Sequence, residues 1–351
     1  VRGCSQTEGK DYHETFSPVV KYASLRYLLA LAAEKDLDVC HYDVTTAFLY
    51  GNLREEIYVT PPPNLGVDKG KVWRLHRAVY GLKQAGRAFY EKMTSVLQSF
   101  GLRRSRADPC VFVQNENDGK LTILAIWVDD VLLFSNDPEM RDKVKNGMMS
   151  HFEMKDLGEI SKFLGMNITR DRAAGALWID QSDYIARVLE KFGMAECNAV
   201  STPMELDSTP LLVQDGVKPY DPRVPYQEAV GCLLYLSQVT RPDICFVVNT
   251  LSRYNNCYQL QHWQAVKRVF RYLKGTTGRK LCYKGSDSGA DSELVGFCDS
   301  DWGSALTERR SVAGVCVKYN GSLVSWYSRR QPTVALSTVE AEFMSLAFCV
   351  Q

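Results

Sequence analysis

The chain has 351 residues, 45% of them hydrophobic and 24% charged, with a net charge of +1. This composition is ordinary for a globular protein of two or three domains. Neither an apolar run approaching the roughly 18 residues of a membrane span nor a secretory signal is visible. The eleven cysteines, without a C-x-x-C pair, are therefore expected to be reduced thiols of an intracellular protein.

Hydrophobic spacing predicts the elements of the first half of the chain. An amphipathic helix is expected over residues 24–34, an extended stretch over 38–44, a loop at 61–63 and a helix over 85–100. Residues 121–134 alternate and are rich in branched and aromatic side chains, which predicts a hairpin with Asp129 and Asp130 in its middle. A helix over 137–152 and a strand pair within 163–179 follow.

From residue 181 the pattern predicts mostly helices, up to a small polar linker at 286–291. A strand is then expected over 294–298. The strands 315–319 and 323–327 flank Asn320-Gly321, a strong signal for a type I′ hairpin. A final helix is expected to begin at Ser337.

Positive charge is concentrated in two segments. Nine Lys or Arg and one acid lie between residues 71 and 106, and eight Lys or Arg and no acid lie between 244 and 286. Lys267, Arg271 and Lys274 share one face of a helix predicted over 264–274. Basic segments in a neutral chain favour a surface for polyanions. The alternative is two solvated faces whose charge is balanced by acids elsewhere.

Three aspartates form the clearest candidate for a catalytic site. A polymerase needs two divalent cations, and Mg²⁺ prefers carboxylate oxygens and phosphates as ligands. Asp129 and Asp130 in a hairpin, facing Asp43 on a neighbouring strand, would supply them. Simple turn chemistry is the alternative for an Asp-Asp pair. Apolar strands on both sides favour a site, because charges flanked in this way are costly to bury without a partner.

Several short motifs follow one another in a fixed order. They are Y-D-V-T-T-A-F-L-Y-G at 42–51, V-Y-G-L-K-Q-A at 79–85, W-V-D-D at 127–130, F-L-G-M at 163–166, T-R-P-D at 240–243, R-Y-L-K-G-T at 271–276, C-D-S-D-W at 298–302, T-V-A-L-S at 333–337 and E-A-E at 340–342. From about Asp11 to its end, the sequence resembles Pol polyproteins of copia-type LTR retrotransposons. Trp127 departs from the Tyr usual in that family, and Gly86 departs from its common Pro.

The resemblance implies an α+β fold: a right-hand polymerase with fingers, palm and thumb, followed by a truncated RNase H-like α/β domain. The expected domains are reverse transcriptase fingers and palm at 1–180, a thumb or connection region at 181–290 and the RNase H-like domain at 291–351. The family's basic K-A-R-L-V segment of the fingers would precede Val1. The first domain is therefore expected to be N-terminally truncated, and full polymerase activity to require that segment.

The resemblance also implies roles for individual residues. Asp43, Asp129 and Asp130 would be the catalytic triad that holds two Mg²⁺ (or Mn²⁺) ions, with the Val44 carbonyl as a further ligand. Phe48 would be the steric gate that excludes a ribose 2′-hydroxyl; the alternative is a core phenylalanine.

Template, primer and phosphate contacts are implied as well. Tyr80, Gly81, Lys83 and Gln84 would line the template and the nascent base pair, although Lys83 could instead be a solvated surface lysine. Leu164 and Gly165 would form the primer grip. The helix that carries Lys267, Arg271 and Lys274 would contact the phosphate backbone.

The final segment offers a choice between two glutamates. Ser337 and Glu340 have the spacing of a capping box, in which Glu340 reaches back to the helix start. Glu342 lies roughly 200° further around the helix. Glu342 is therefore the better candidate for a metal ligand of the RNase H site, paired with Asp299. Asp301 is the alternative to Asp299. The family uses two further carboxylates later in its sequence, so RNA cleavage by this chain is not expected.

The expected function is RNA-directed and DNA-directed DNA synthesis by a copia-like element. Its partners would be an RNA template, a DNA primer, dNTPs and other Pol segments such as integrase. No association with a membrane is expected. The expected location is the cytoplasm, in virus-like particles if the element is active. The alternative is an inactive element remnant that only folds and binds nucleic acid.

Overall fold

The computed structural model describes residues 1–62, 70–115, 119–205, 213, 221–285, 293–303 and 309–351. The chain divides into two compact units. The first comprises Val1–Leu28 and Lys35–Ile160, and the second comprises Leu29–Glu34 and Ser161–Gln351. The three predicted domains remain predictions. The predicted linker at 286–291 and the last residue of the predicted loop at 61–63 lie outside the described residues.

The first unit combines three helices with eight strands among the described residues. In chain order these are α1 (Tyr22–Glu34, whose end belongs to the second unit), β1 (Asp38–Val44), β2 (Asn52–Val59), β3 (Trp73–Arg77), α2 (Ala85–Ser99), β4 (Arg103–Arg104), β5 (Val111–Asn115), β6 (Leu121–Trp127), β7 (Asp130–Ser135), α3 (Pro138–His151) and β8 (Met154–Glu159). The helices predicted over 24–34, 85–100 and 137–152 and the hairpin predicted over 121–134 are confirmed.

A six-stranded sheet forms the core of the first unit, with strand order β4-β5-β6-β7-β1-β8. Its middle strands are buried on both faces, since each of the residues 131–134 in β7 is 0% exposed. β2 and β3 form a separate two-stranded sheet. The start of α3 is fixed locally, because the Asp137 carboxylate accepts the Glu139 N–H at 3.1 Å and Pro138 occupies the first turn.

The second unit also mixes helices and strands. It contains β9 (Lys162–Phe163), β10 (Met166–Asp171), β11 (Ala176–Asp180), α4 (Ser182–Lys191), α5 (Tyr226–Val239), α6 (Cys245–Ser252), α7 (Leu260–Gly275), β12 (Leu281–Lys284), β13 (Leu294–Ser300), β14 (Val312–Tyr319), β15 (Ser322–Arg330) and α8 (Thr338–Cys349). Strands β12-β11-β10-β9 form one sheet and β13-β14-β15 another. The predicted strand pair within 163–179 and the mostly helical stretch after residue 181 are confirmed.

Two features hold the second unit together. Helices α4 to α7 share an apolar core in which Leu233, Val266 and Phe270 are fully buried. The Trp326 indole N–H of β15 donates to the Ser237 carbonyl of α5 at 2.7 Å.

Asn320 and Gly321 both have positive φ, 48° and 76°, so the predicted type I′ hairpin is confirmed. No helix in the described ranges has the length and apolar character needed to cross a membrane.

Candidate active site

Three aspartates lie at one end of two central strands of the six-stranded sheet. β1 and β7 are antiparallel, and Asp43 is directly opposite Asp130. Side chains of directly opposed residues project from the same face, with Cβ atoms about 4.5–5.5 Å apart. Asp129 immediately precedes Asp130. The fold therefore brings together the three aspartates that the sequence predicts as a triad.

The turn between β6 and β7 has an unusual backbone. Trp127 pairs with Asp130, so the turn consists of Val128 and Asp129. Val128 has φ 56°, a left-handed conformation that a β-branched residue rarely adopts and that costs about 1–3 kcal/mol. The Val44 N–H donates to the Asp129 carbonyl at 2.9 Å, which fixes this strained turn against β1.

The carboxylates repel one another. Partial burial raises the pKa of Asp129, and the neighbouring charges of Asp130 and Asp43 add to the effect, against a hydrogen bond from its own backbone. Burial also raises the pKa of the Tyr80 phenol, as do the charges of Asp129 and Asp43. Tyr80 is therefore within electrostatic range of two of the three carboxylates.

His41 is a member of this site that sequence reasoning missed. Its Nε2 lies 2.7 Å from Asp130 Oδ1, so the ring holds one oxygen of that carboxylate. The signal was present in the sequence, because His41 precedes Asp43 by two residues on the same strand and so projects from the same face.

Phe48 and Tyr80 form an aromatic pair beside the carboxylates. Phe48 lies in a 3₁₀ turn, Ala47–Tyr50, that follows β1. Its ring centroid is 4.6 Å from that of Tyr80, which is 48% exposed. Phe48 is half-buried and also packs on the apolar cluster of Ile57, Ala78, Leu82 and Ala85. The ring thus has one side in the core and the other towards Tyr80, so both sequence interpretations remain open.

Lys83 and Gln84 hold the N-terminal segment of the unit. The Gln84 amide, 4% exposed, accepts from Gln6 Nε2 at 3.0 Å and donates to the Asp11 carbonyl at 2.9 Å. Lys83 Nζ donates to the Gln6 carbonyl at 3.1 Å and to the Tyr12 hydroxyl at 3.2 Å. The structure therefore does not direct the Gln84 side chain to the surface, where a template would lie.

Gly81 serves the same packing. Its φ of 99° suits glycine, and a Cβ placed on Gly3 would lie 2.0 Å from the Gly81 carbonyl oxygen. Only two glycines allow the two backbones to approach so closely. Within the predicted motif at 79–85, Tyr80 is thus close enough to Asp129 and Asp43 for their charges to raise its pKa, while Gly81, Lys83 and Gln84 anchor the chain from Gly3 to Tyr12.

A family model described as reverse transcriptase (RNA-dependent DNA polymerase) matches residues 1–206, more than half of the chain. The chain belongs to the reverse transcriptase family.

The resemblance to copia-type Pol polyproteins is confirmed. The chain is 41% identical, over 98% of its length, to the retrovirus-related Pol polyprotein from transposon TNT 1-94 of Nicotiana tabacum. It is 32% identical to a putative transposon Ty5-1 protein of Saccharomyces cerevisiae, over 86% of the chain and 97% of that protein. The chain spans about a quarter of the tobacco polyprotein, 26%.

Among solved structures, a foamy viral protease-reverse transcriptase in complex with double-stranded DNA is similar at a TM-score of 0.47 and 10% identity. The likeness covers 95% of this chain and 52% of that one.

The predicted primer grip lies in the second unit. Phe163 pairs with Met166, which leaves Leu164 and Gly165 as the two-residue turn between β9 and β10. Both have positive φ, 46° and 72°. The Tyr235 hydroxyl of α5 donates to the Leu164 carbonyl and fixes the turn.

The basic face of α7 is partly engaged within the fold. Arg271 Nε donates to the Asn198 carbonyl at 2.7 Å, and Lys274 Nζ donates to the Ala195 carbonyl. Lys267 lies on the same helix and is half-buried. Val266, Val269, Phe270 and Leu273 of the same helix are fully buried. The predicted phosphate contacts of α7 remain a prediction.

Asp299 and Glu342, the predicted RNase H carboxylates, are brought together at the end of β13. The Ser300 N–H lies 2.9 Å from Asp299 Oδ1 and 3.4 Å from Glu342 Oε1. Asp301, the alternative to Asp299, instead accepts the Val312 N–H at 2.9 Å. The geometry thus favours Asp299 as the partner of Glu342.

The predicted capping box of α8 needs one correction. Ser337 Oγ accepts the Glu340 N–H at 3.1 Å, as expected. Glu340 Oε2 accepts the N–H of Leu336 at 2.6 Å, one residue before the helix cap, and not that of Ser337. Glu340 therefore still has the structural role at the helix start that the sequence predicted, and Glu342 does not take part in capping the helix.

Within the described ranges, no group of three or more His, Cys, Asp or Glu side chains is arranged to hold a metal ion. Asp43, Asp129 and Asp130 therefore do not form such a group, and one oxygen of Asp130 is already bound by His41. The residue types suit a divalent cation, but the donor atoms are not gathered around one point.

Proposed function

We propose that this chain is the DNA polymerase segment of a copia-like Pol polyprotein, copying RNA and DNA templates by nucleotidyl transfer onto a primer 3′-hydroxyl. The observation that carries the proposal is the register of β1 and β7, which sets Asp43 opposite Asp130 with Asp129 in the adjoining turn. Membership of the reverse transcriptase family supports it.

Two Mg²⁺ or Mn²⁺ ions fit the chemistry of this donor set. Three repelling carboxylates, one of them with a raised pKa, are stabilised by divalent cations. We assign the ions to Asp43, Asp129, Asp130 and the Val44 carbonyl. When bound, such ions activate the attacking hydroxyl and neutralise the leaving pyrophosphate. His41 would then have to share or release Asp130.

The aromatic pair is assigned to sugar selection. Phe48 is held from behind by the apolar cluster under it, so its ring cannot retreat when a sugar approaches. A rigid ring at that position would reject a 2′-hydroxyl by contact. Phe48→Ala is expected to admit ribonucleotides, whereas an unchanged preference for deoxynucleotides would return Phe48 to a purely core role.

We assign the right-hand arrangement of fingers, palm and thumb to the polymerase, and an RNase H-like module to the segment around Asp299 and Glu342. Leu164 and Gly165 are assigned to the primer grip. Lys267, Arg271 and Lys274 are assigned to the phosphate backbone, a contact that would make binding weaken steeply with salt. The proposed partners are an RNA template, a DNA primer, dNTPs and other Pol segments, in cytoplasmic virus-like particles.

Primer extension on RNA and DNA templates tests the proposal. Asp129→Asn should lower extension by at least about 10³-fold, because it removes charge where the transition state needs it most. Asp142→Asn, an exposed aspartate on α3 that is paired with Arg141, is the matched control and should extend normally. Circular dichroism would establish that both variants fold.

Two outcomes would overturn the proposal. Normal extension by Asp129→Asn would remove the triad assignment. Binding of template–primer without extension, by this chain and by longer segments of the same reading frame, would support the alternative of an inactive element remnant.

A further inference from the structure

Three side chains on one face of helix α8 contact strand β13. Glu342 lies at the Ser300 N–H, and Ser345 Oγ donates to the Asp299 carbonyl at 2.9 Å. Cys349 follows at the end of the helix. The spacings of three and four residues place all three side chains on the same helical face, in successive turns.

The Cys349 sulfur sits directly on the strand backbone. A Cβ placed on Gly296 would lie 2.6 Å from Cys349 Sγ, so any larger residue there would displace the sulfur. Cys298 lies two residues further along β13 and therefore projects from the same face as position 296. Burial raises the pKa of the Cys298 thiol, and the neighbouring Cys349 thiol adds to the effect through its charge and a side-chain hydrogen bond.

Both thiols are partly exposed, so a small reagent can reach them. All eleven cysteines of the chain fall within the described residues and are free thiols. We propose that Cys298 and Cys349 form a vicinal dithiol site that closes to an intramolecular disulfide on reaction with a low-molecular-weight disulfide such as oxidised glutathione.

The exchange balances in two steps. One protein thiolate attacks oxidised glutathione, which forms a mixed disulfide and releases one glutathione thiolate. The second protein thiolate then attacks the mixed disulfide, and a second glutathione leaves. The protein loses two hydrogens as two electrons pass to glutathione, and reduced glutathione in excess reverses both steps.

Closure would pin the end of α8 to the strand that carries Asp299. The disulfide would span residues 298 to 349 and so restrict the unfolded chain over that loop. The consequence is a second unit whose stability depends on the thiol–disulfide balance. The proposal is independent of polymerase activity.

Oxidised glutathione, followed by alkylation and peptide mass spectrometry, tests the site. The expected product is a cross-link between the peptides that carry Cys298 and Cys349, with a rise in the Tm of the second unit of about 5 °C. Cys349→Ser should lose both. Cys316→Ser is the matched control, because Cys316 lies on the neighbouring strand and lines a cavity of about 510 Å³ together with Cys245 and Cys298, and it should keep both.

Gly296→Ala provides a second variant that retains every thiol. Its Cβ would push the Cys349 sulfur off the strand, so the cross-link yield should fall several-fold, with circular dichroism as the check on folding. Separate glutathione adducts on Cys298 and Cys349, or a Cys298–Cys316 cross-link in equal yield, would overturn the proposal.

Discussion

In the first unit, Asp43, Asp129 and Asp130 lie together on β1 and the adjoining hairpin, where their charges repel one another. In the second unit, Asp243 lies among cations. Burial disfavours its charge, but hydrogen bonds and charge from Arg241, the Tyr272 hydroxyl and Arg279 keep the pKa of Asp243 below its usual range. The ionised form of an aspartate is thus destabilised at Asp129 and stabilised at Asp243.

The network around Asp243 is dense. Arg241, 1% exposed, donates to both Asp243 oxygens at 2.9 and 2.8 Å. Its remaining donors reach the Thr276 carbonyl at 3.2 Å and hydroxyl at 2.6 Å, and the Tyr272 hydroxyl donates to Asp243 at 2.7 Å. The motifs at 240–243 and 271–276 therefore bind each other.

Asp243 and Asp129 illustrate two different roles that an aspartate in a sequence motif can have. Acids whose oxygens are all engaged by the fold, as at Asp243, stabilise it. Acids that the fold crowds together, as Asp129 is with Asp130 and Asp43, cost stability and point to chemistry that needs them. If this distinction is correct, neutralising the two kinds of acid site should have opposite effects on folding.

The largest effect is expected from Arg241→Met. Removing the guanidinium leaves the Asp243 charge buried with Arg279 as a more distant cation at 3.3 Å. The free energy of unfolding of the second unit should fall by about 3 kcal/mol, as measured by urea titration.

Arg223→Met is the matched control for that experiment. Arg223 also binds an aspartate two residues away, Asp221, at 2.7 Å, but its side chain is 89% exposed. No measurable loss is expected, because an exposed ion pair contributes little. Equal losses in the two variants would show that burial does not explain the stability of the Asp243 network.

An intermediate effect is expected at Asp180. Burial disfavours its charge, but hydrogen bonds from the Ser182 backbone and hydroxyl, Asn167 and Lys280 lower the pKa of Asp180 to about 2. The unfolded pKa is about 3.9, so the ionised form favours folding above that pH, and the benefit disappears as pH falls from about 4 to about 2. The contribution of Asp180 to stability should fall by about 2 kcal/mol in that window, measured as the difference between the pH profiles of wild type and Asp180→Asn.

Asp221 sharpens this test, because a hydrogen bond from Arg223 also holds its pKa at about 2. Its pair is exposed and should be screened by 0.5 M salt, whereas the buried hydrogen bonds of Asp180 should persist. A slope at Asp180 that vanishes in salt would mean that Coulombic attraction, and not hydrogen bonding, lowers its pKa.

Local features of this fold were predictable from the sequence. The type I′ turn at Asn320-Gly321, the helix that begins after Asp137 and the apolar side of α7 each depend on residues close together in the chain. The hairpin around Asp129 and Asp130 belongs to the same class, since both strands and the turn are contained within fifteen residues, 121–135.

Long-range pairing was not predictable in this way. The position of β1 between β7 and β8, which sets Asp43 opposite Asp130, joins segments far apart in sequence, so it was expected from the chemistry of a metal site and from the motif resemblance and not from hydrophobic spacing. β12 pairs with β11 across the whole helical stretch between them. The inward hydrogen bonds of Gln84 to Gln6 and Asp11 are of the same kind, because periodicity shows which side of an element is apolar but not what covers it.

The smallest effect is expected from Asp129→Asn on folding, and its sign matters more than its size. The pKa of Asp129 is raised, so ionising this carboxylate at neutral pH costs more in the folded chain than in the unfolded one. Asparagine is nearly isosteric and removes that charge, so the unfolding free energy of the first unit should stay the same or rise by less than about 1 kcal/mol. Urea titrations of wild type, Asp129→Asn and Asp243→Asn under one condition measure this, with Asp243→Asn expected to lose stability. A clear loss in Asp129→Asn as well would mean that its carboxylate has stabilising partners, and the contrast between the two acid sites would fail.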